Sequence, residues 1–374
     1  CLIHPCPVTD RGPANGPTTT TGGITMDTTQ SLSPDTAVQI DPLPWLLELD
    51  TDNPGVRFFA LTDLLNRPEN DPEVRQARRQ IMQTGPVPVI LGQQAAEGYW
   101  VKAGGGYSPK YQGTSWSLLI LAELGADPAD ERVQRAGNYV LDHSLAASGA
   151  FAYNQKPVPS GAVHCLNGNM VFALTRLGFG SDPRLQAPID WLARAILGQA
   201  PIKFYQSGTS GPGFACAVNM GQPCAWGANK AIRALIELPA SERTPLIERA
   251  LAAGAKFLLS RDPLVADYPF TEQVSLAWFK LGFPLSYWSD VLETLSNLVA
   301  LGFGGDPRLN RAIAWLLEKQ DEQGRWKMQN HLNRKMWIDI EGGGRPSKWI
   351  TLRALRMLKQ TEIHRPASSQ EEQG

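Results

Sequence analysis

Cysteine is rare in this sequence, five in 374 residues. Two of them, Cys1 and Cys6, stand in an atypical N-terminal stretch, and the three left over cannot all pair. So few thiols in so long a chain argue against a disulfide-stapled fold and fit a reducing cytoplasm. Charge of one sign is missing too. Lys and Arg number 35 against 36 Asp and Glu, a net charge of −1 with no long basic run. The clustered cations that hold nucleic-acid phosphates are therefore absent, which excludes nucleic acid as a partner class. No segment approaches ~18 continuous apolar residues, so nothing reads as a transmembrane helix. Strand signals are scarce throughout, and alternating apolar patterns give way to helical ones.

What is present is a soluble, core-forming composition, 43% hydrophobic and 19% charged. The first 25 residues are the exception, for 14 of them are Pro, Gly or Thr. Such a stretch buries too little apolar surface to offset chain entropy. Residues 1–34 are expected to be a disordered tail, with Met26 as a candidate true start. The alternative is a mature lipoprotein anchored through Cys1. Residues 363–374 are expected to be a second disordered tail, which leaves 35–362 as a single domain.

That domain repeats itself. LGFGSDPRLQAPIDWLARA (177–195) and LGFGGDPRLNRAIAWLLEK (301–319) agree at eleven of nineteen positions. In each copy a helix ends at Leu-Gly, where glycine takes the left-handed conformation that closes a helix. Asp-Pro then opens the next helix. Asp182 and Asp306 suit the cap, and Pro183 and Pro307 the first helical position. Weaker copies of the junction are Asp71-Pro72 and Asp127-Pro128. The helices after Asp-Pro carry one apolar stripe, as at Leu309, Ile313, Leu316 and Leu317. The helices before Leu-Gly are apolar around more of their circumference and read as an inner layer. Inner helices end near Leu65, Leu124, Leu177, Leu238, Leu301 and Leu358, at spacings of 53 to 63 residues. Six helical hairpins that close into a ring are the architecture this predicts, with long loops near 86–112 and 200–223.

Arg311-Ala312, Trp315, Leu316, Gln320, Gly324 and Trp326 together resemble the QW motif of terpenoid cyclases such as squalene–hopene cyclase. QQAAEGYW (93–100) is a shorter match through Gln94, Gly98 and Trp100. RAGNYVLDHSLAASGAF (135–151) is a degenerate one, with Ser144 in place of Gln and Phe151 in place of Trp. The resemblance covers about residues 40–360. It implies the α/α toroid shared by these cyclases and the protein prenyltransferase β subunits, and an isoprenoid or other apolar ligand held centrally for cyclisation or prenyl transfer. The chain departs from the family in its chemistry-bearing motifs. The DxDD proton donor, the DDxxD metal motif and the prenyltransferase zinc signature are not found, and there is room for one toroid where squalene cyclases have two.

In a ring of hairpins the first turns of the inner helices share one mouth. They fall in YQGTSW (111–116), HCLNGN (164–169), CAWGANK (224–230), YWSD (287–290) and RPSKW (345–349). Trp116, Trp226, Tyr287, Trp288 and Trp349 are candidates to face an apolar tail or a carbocation. Lys230, Arg345 and Lys348, with the helix-terminal amides, are candidates for an anionic head. The competing reading makes the aromatics packing core and the cations solvated. Asp290 is the candidate acid, with Asp339 and Glu341 as carboxylates able to raise its pKa; otherwise it caps its helix. His164, Cys165, Cys216 and Cys224 are a candidate zinc set, against their spacing, since Cys216 and Cys224 are too far apart in sequence for a metal knuckle. No other cofactor is expected. GTSGPG (208–213) lacks the Lys-Ser/Thr ending of a phosphate loop. Two rivals to an isoprenoid enzyme stay open: a non-catalytic toroid that binds protein or lipid, and a zinc-dependent transferase.

Overall fold

A computed structural model describes residues 41–199, 210–269 and 271–361, all within a compact unit that spans Val38–Gly374. Both expected tails, with Cys1, Cys6 and Met26, lie outside the described residues. The fold is all-α. Among the described residues there is no sheet, only isolated bridges in loops.

The elements follow in hairpin order. They are α1 (Leu43–Leu47), α2 (Pro54–Phe59, continued by a π-turn over Ala60–Leu64), α3 (Pro72–Gln83), α4 (Pro86–Leu91), α5 (Thr114–Leu124) and α6 (Glu131–His143). Next come α7 (His164–Leu174, continued to Phe179), α8 (Pro183–Leu197), α9 (Ala225–Glu237) and α10 (Pro245–Leu258). The last are α11 (Val291–Leu298, continued to Phe303), α12 (Asn310–Leu317) and α13 (Lys348–Lys359). Among the described residues α2, α5, α7, α9, α11 and α13 form the inner layer. Helix α5 packs on α7, α7 on α9, α9 on α11, α11 on α13, and α13 returns to α2. Between α2 and α5 the backbones nearly touch, since a Cβ on Gly55 would stand 2.4 Å from the Leu124 carbonyl oxygen. The ring is closed: this is an α/α toroid. All eleven residues of α5 are buried, as a helix covered on every side requires.

The repeated junctions share their geometry as well as their letters. Gly178 and Gly302 both adopt φ 89° and ψ 10°, a left-handed conformation that a side chain would strain. Asp182 accepts from Arg184 N–H at 2.8 Å, and Asp306 from Arg308 N–H at 2.9 Å. At Asp127-Pro128 the expectation shifts by three residues. The helix begins after Asp130, which accepts from Arg132 N–H at 2.9 Å. The expected 86–112 loop also differs, because Pro86–Leu91 is a helix. Pro86 stands where a helix tolerates a missing N–H, and Val87, Ile90 and Leu91 are buried beneath it.

The large indoles after the outer helices act as caps. Trp326 is fully buried; its indole N–H donates to Leu316 O at 2.7 Å, and its backbone N–H donates to Thr351 Oγ1 on α13. Trp100 does the same with Ile90 O at 2.8 Å and Thr114 Oγ1 on α5. Each indole thus satisfies a carbonyl at the end of one helix and ties it to the start of the next inner helix. Gln94 Nε2 adds a bond to Arg132 O at 2.9 Å. At Gln320 that role is not kept, for its buried Nε2 has no partner among the described residues. The Phe151 ring has no N–H to give, but its backbone N–H still meets an inner helix, at Asn167 Oδ1. Trp326→Ala should lower unfolding free energy by about 3–5 kcal/mol, and Trp326→Phe by less, in urea titrations.

Candidate functional site

At the C-terminal ends of the inner helices the lumen is filled with paired charges. Arg233 meets Glu123 at 2.6 Å, Arg176 meets Glu237 at 2.7 Å, and Arg356 meets Asp63 at 2.5 Å. Burial alone would push the Glu123 carboxyl up, but Arg233, with Arg353 and Arg176 nearby, holds it below its ordinary value. An apolar ligand entering here would have to displace these ion pairs.

The N-terminal mouth is different. Trp116 on α5 donates its indole N–H to Tyr107 O at 2.7 Å, and its ring lies 5.1 Å from both Tyr107 and Tyr111. Tyr287, from the 280–290 loop, reaches across to Trp116 edge-on at 6.3 Å. Leu119, Leu166 and Met170 form the floor, with Ser115, Cys165 and Asn169 as small or polar neighbours. Burial pushes the Tyr107 phenol well above its ordinary value, so it stays neutral. The hollow these groups enclose measures about 10 Å³, the room of roughly one water. Its cover is tied down. Trp337 Nε1 lies 3.2 Å from both Gln112 O and Ser117 Oγ, and Asn169 Nδ2 donates to Ser286 O at 3.0 Å. Lys110 and Lys335 stand over the outer faces of Tyr287 and Tyr111, at 4.8 and 5.8 Å.

The structure brings two of the five candidate aromatics to this hollow, Trp116 and Tyr287. The other three are elsewhere. Trp349 is buried in the seam between α13 and α2, stacked on Phe283 at 4.2 Å and bonded to Asn53 Oδ1 at 2.9 Å. Trp288 is buried against Gly282, where a Cβ would be 2.1 Å from its ring. Trp226 is half-buried on the core. Among the candidate cations, Lys230 is buried and spent on Glu293 at 2.6 and 2.7 Å. Lys348 pairs with Glu48 and Asp50 at 3.4 and 3.2 Å, and Arg345 is exposed on a turn. Tyr107, Leu119 and Met170 were not anticipated. Tyr107 precedes the helix start by a loop whose path the sequence does not reveal, and the other two lie a turn deeper.

Asp290 is fully buried and has the geometry of a cap. Its oxygens accept from Glu293 N–H at 2.8 Å, Gly282 N–H at 3.2 Å, and both Arg353 terminal nitrogens at 2.9 and 3.0 Å. Neither expected carboxylate partner touches it. Asp339 is exposed and accepts from Arg334 N–H at 2.6 Å. Glu341 accepts from Lys348 N–H at 2.7 Å and from Ser347 Oγ, and burial raises its pKa. Both line a separate polar cleft of about 280 Å³, whose opposite wall is Asp52, Asn53, Gly85 and Pro86. Among the described residues, no three His, Cys, Asp or Glu side chains are arranged to hold a metal ion. His164 donates its Nε2–H to Gly211 O at 2.8 Å, and its ring lies between Trp191 and Phe214.

No protein-family model matches the chain, and no curated protein matches it. Among solved structures it is similar to the type II terpene cyclase MstE from Scytonema, at 15% identity over 73% of this chain and 94% of that one, with a TM-score of 0.32. MstE in complex with geranylgeranyl dihydroxybenzoate gives 16% identity over 74% and 95%, with a TM-score of 0.29. A protein from Actinoplanes gives 14% over 73% and 96%, with a TM-score of 0.29. Likenesses this distant assign no chemistry, and ring closure rests on the contacts already given. Among the described residues no helix is long and apolar enough to cross a membrane.

Two measurements test the polar interior. Lys230→Met strands the Glu293 carboxylate and should cost about 3–5 kcal/mol of stability, whereas Lys230→Met with Glu293→Gln should recover most of it in urea titrations. Burial holds the His164 imidazole down at about 4. The unfolded chain therefore binds the proton first as pH falls. Stability is fully present above about 6.5 and drops toward pH 4, by up to roughly 3 kcal/mol. His164→Gln should flatten that slope; an unchanged slope would assign it to another group.

Proposed function

We propose that this toroid binds an isoprenoid-type or similarly apolar small molecule at its N-terminal mouth, with the aromatic faces of Trp116, Tyr287 and Tyr107 as the contact surface. The observation that carries the reading is the pairing of an uncharged aromatic hollow at one end with a lumen full of ion pairs at the other. Aromatic faces suit both a prenyl chain and any cationic centre along it. The hollow is water-sized, so binding requires the 280–290 and 327–346 segments to part, with Trp337 leaving Gln112. Lys110 and Lys335 on the rim suit an anionic head, in place of the cations read from sequence.

Binding without acid-initiated cyclisation is the form of the proposal favoured here. The carboxylate of Asp290 is engaged by donors on both oxygens, from Gly282, Glu293 and Arg353, the pattern of an ionised cap rather than of a proton donor. The reading needs no cofactor. Mass spectrometry of organic extracts from the purified protein should find an apolar molecule at near-stoichiometric yield. Titration with geranylgeraniol, followed by tryptophan fluorescence, should saturate. Trp116→Ala should weaken that affinity by about tenfold, or ~1.4 kcal/mol. Asp290→Asn, if it folds, should leave affinity unchanged. Extracts without lipid, together with no saturable titration, would overturn the proposal.

A further inference from the structure

The hairpin that leads into α9 carries two thiols outside the binding hollow. Residues 210–224 fold back through antiparallel bridges at Ser210–Cys216 and Ala215–Pro223. Cys216 N–H donates to Gln222 O at 3.1 Å and Cys224 N–H to Phe214 O at 3.1 Å. In such a ladder, residues 216 and 224 are diagonal neighbours on one face. The register alone sets the two side chains beside each other, close enough for each thiol to be the largest influence on the other's proton affinity. Both thiols are half-buried. The tip beside Cys216 is open, with Val218 48% and Met220 70% exposed, so a small solute can reach it.

We propose that Cys216 and Cys224 form a thiol–disulfide exchange site, in which Cys216 attacks a small-molecule disulfide and Cys224 resolves the adduct. The balance is simple. The Cys216 thiolate bonds to one sulfur of the disulfide, and the other sulfur leaves as a thiolate, which takes up a proton. Cys224 then loses its proton and attacks Cys216 Sγ. A protein disulfide forms, and the second thiol departs with that proton. The two protein thiols give up two electrons, which reduce the small disulfide to two thiols.

The electrostatics divide the roles in the same way. The neighbouring Cys224 thiol pulls the Cys216 thiol down to about 6. The same pairing, with burial, holds Cys224 well above its ordinary value. Cys165, on the floor of the hollow, is pushed up to about 12 by burial and serves as an internal control. At neutral pH one sulfur is nucleophilic and its neighbour keeps the proton until the second step.

Glutathione disulfide is the probe, applied at pH 7 to the full chain, with peptide mapping of the unreduced digest by mass spectrometry. A Cys216–Cys224 link that dithiothreitol reverses is the expected product. Cys224→Ser should trap glutathione on Cys216, and Cys216→Ser should leave Cys224 unmodified. Iodoacetamide should alkylate Cys216 more than about tenfold faster than Cys165 at pH 7, with an inflection near 6. Wild-type protein that alkylates Cys216 no faster than Cys165 overturns the proposal. So does one that keeps glutathione on Cys216 without forming the link. The wild-type results decide the matter even if a serine variant fails to fold.

Discussion

An inner helix that is apolar on every side cannot stand at the end of a stack, and that constraint shapes the molecule. Helix α5 exposes none of its eleven residues, so it needs neighbours on both flanks, and so does each inner helix after it. The demand is met only when the last helix returns to the first. The seam where it does so combines aromatic, amide and charged contacts. Trp349 stacks on Phe283 and bonds Asn53, while Lys348 reaches Asp50 at 3.2 Å. Lys359 donates to Asp63 O at 2.8 Å and Leu64 O at 2.9 Å. The end of α13 thereby satisfies the orphan carbonyls at the end of α2. Closure is sealed by polar groups that only this pairing brings together.

Closure also creates a problem. Six helices around an axis leave a lumen, and a lumen must be filled or wetted. Here much of the filling is ionic, and the partners are distant in the chain, Glu123 with Arg233 and Lys230 with Glu293. A single unpaired member would cost more than the pair contributes, so these contacts act mainly to exclude other arrangements of the hairpins. Asn229 adds to this. It donates to Ser289 Oγ and Thr294 Oγ1 while Asn297 donates to its own oxygen. A slip of α9 against α11 would break all three bonds at once.

How much of this the sequence discloses depends on the range of the interaction. The Leu-Gly/Asp-Pro junctions are legible because their causes are local. A glycine must turn left-handed, and a carboxylate must reach an amide two residues on. The hairpin count follows from them, and closure follows from the apolar inner helices. The lumen was not legible. Lys230 reads as a free cation until Glu293, 63 residues later, is placed beside it. Asp290 fits either a cap or an acid on its own turn, and Arg353 on a different helix decides. Trp349 resembles a cavity aromatic because it shares a first turn with such residues. Its ring instead faces Phe283 and the seam, a rotation about the helix axis that position in the sequence does not specify. The thiols of Cys216 and Cys224 were visible as a cluster, but their hairpin pairing depends on backbone bonds that spacing alone cannot reveal.

The same logic explains why the uncharged hollow sits where it does. Inner helices that run in parallel gather partial positive charge at one rim and partial negative charge at the other. Each rim is answered by side chains of opposite sign. Asp290 and Glu341 accept amides at helix starts, while Arg176, Arg233 and Arg356 gather near helix ends. Charge is thus consumed in closing the helices. At the mouth the carboxylates that do this belong to α11 and α13, on the arc of the ring away from Trp116. The arc formed by α5 and α7 has no such carboxylate. Helix α5 starts from Gly113 and α7 from Val163, neither with a side-chain cap. Aromatic and small residues occupy that arc instead, so the neutral surface lies where the ring has left helix starts without anions.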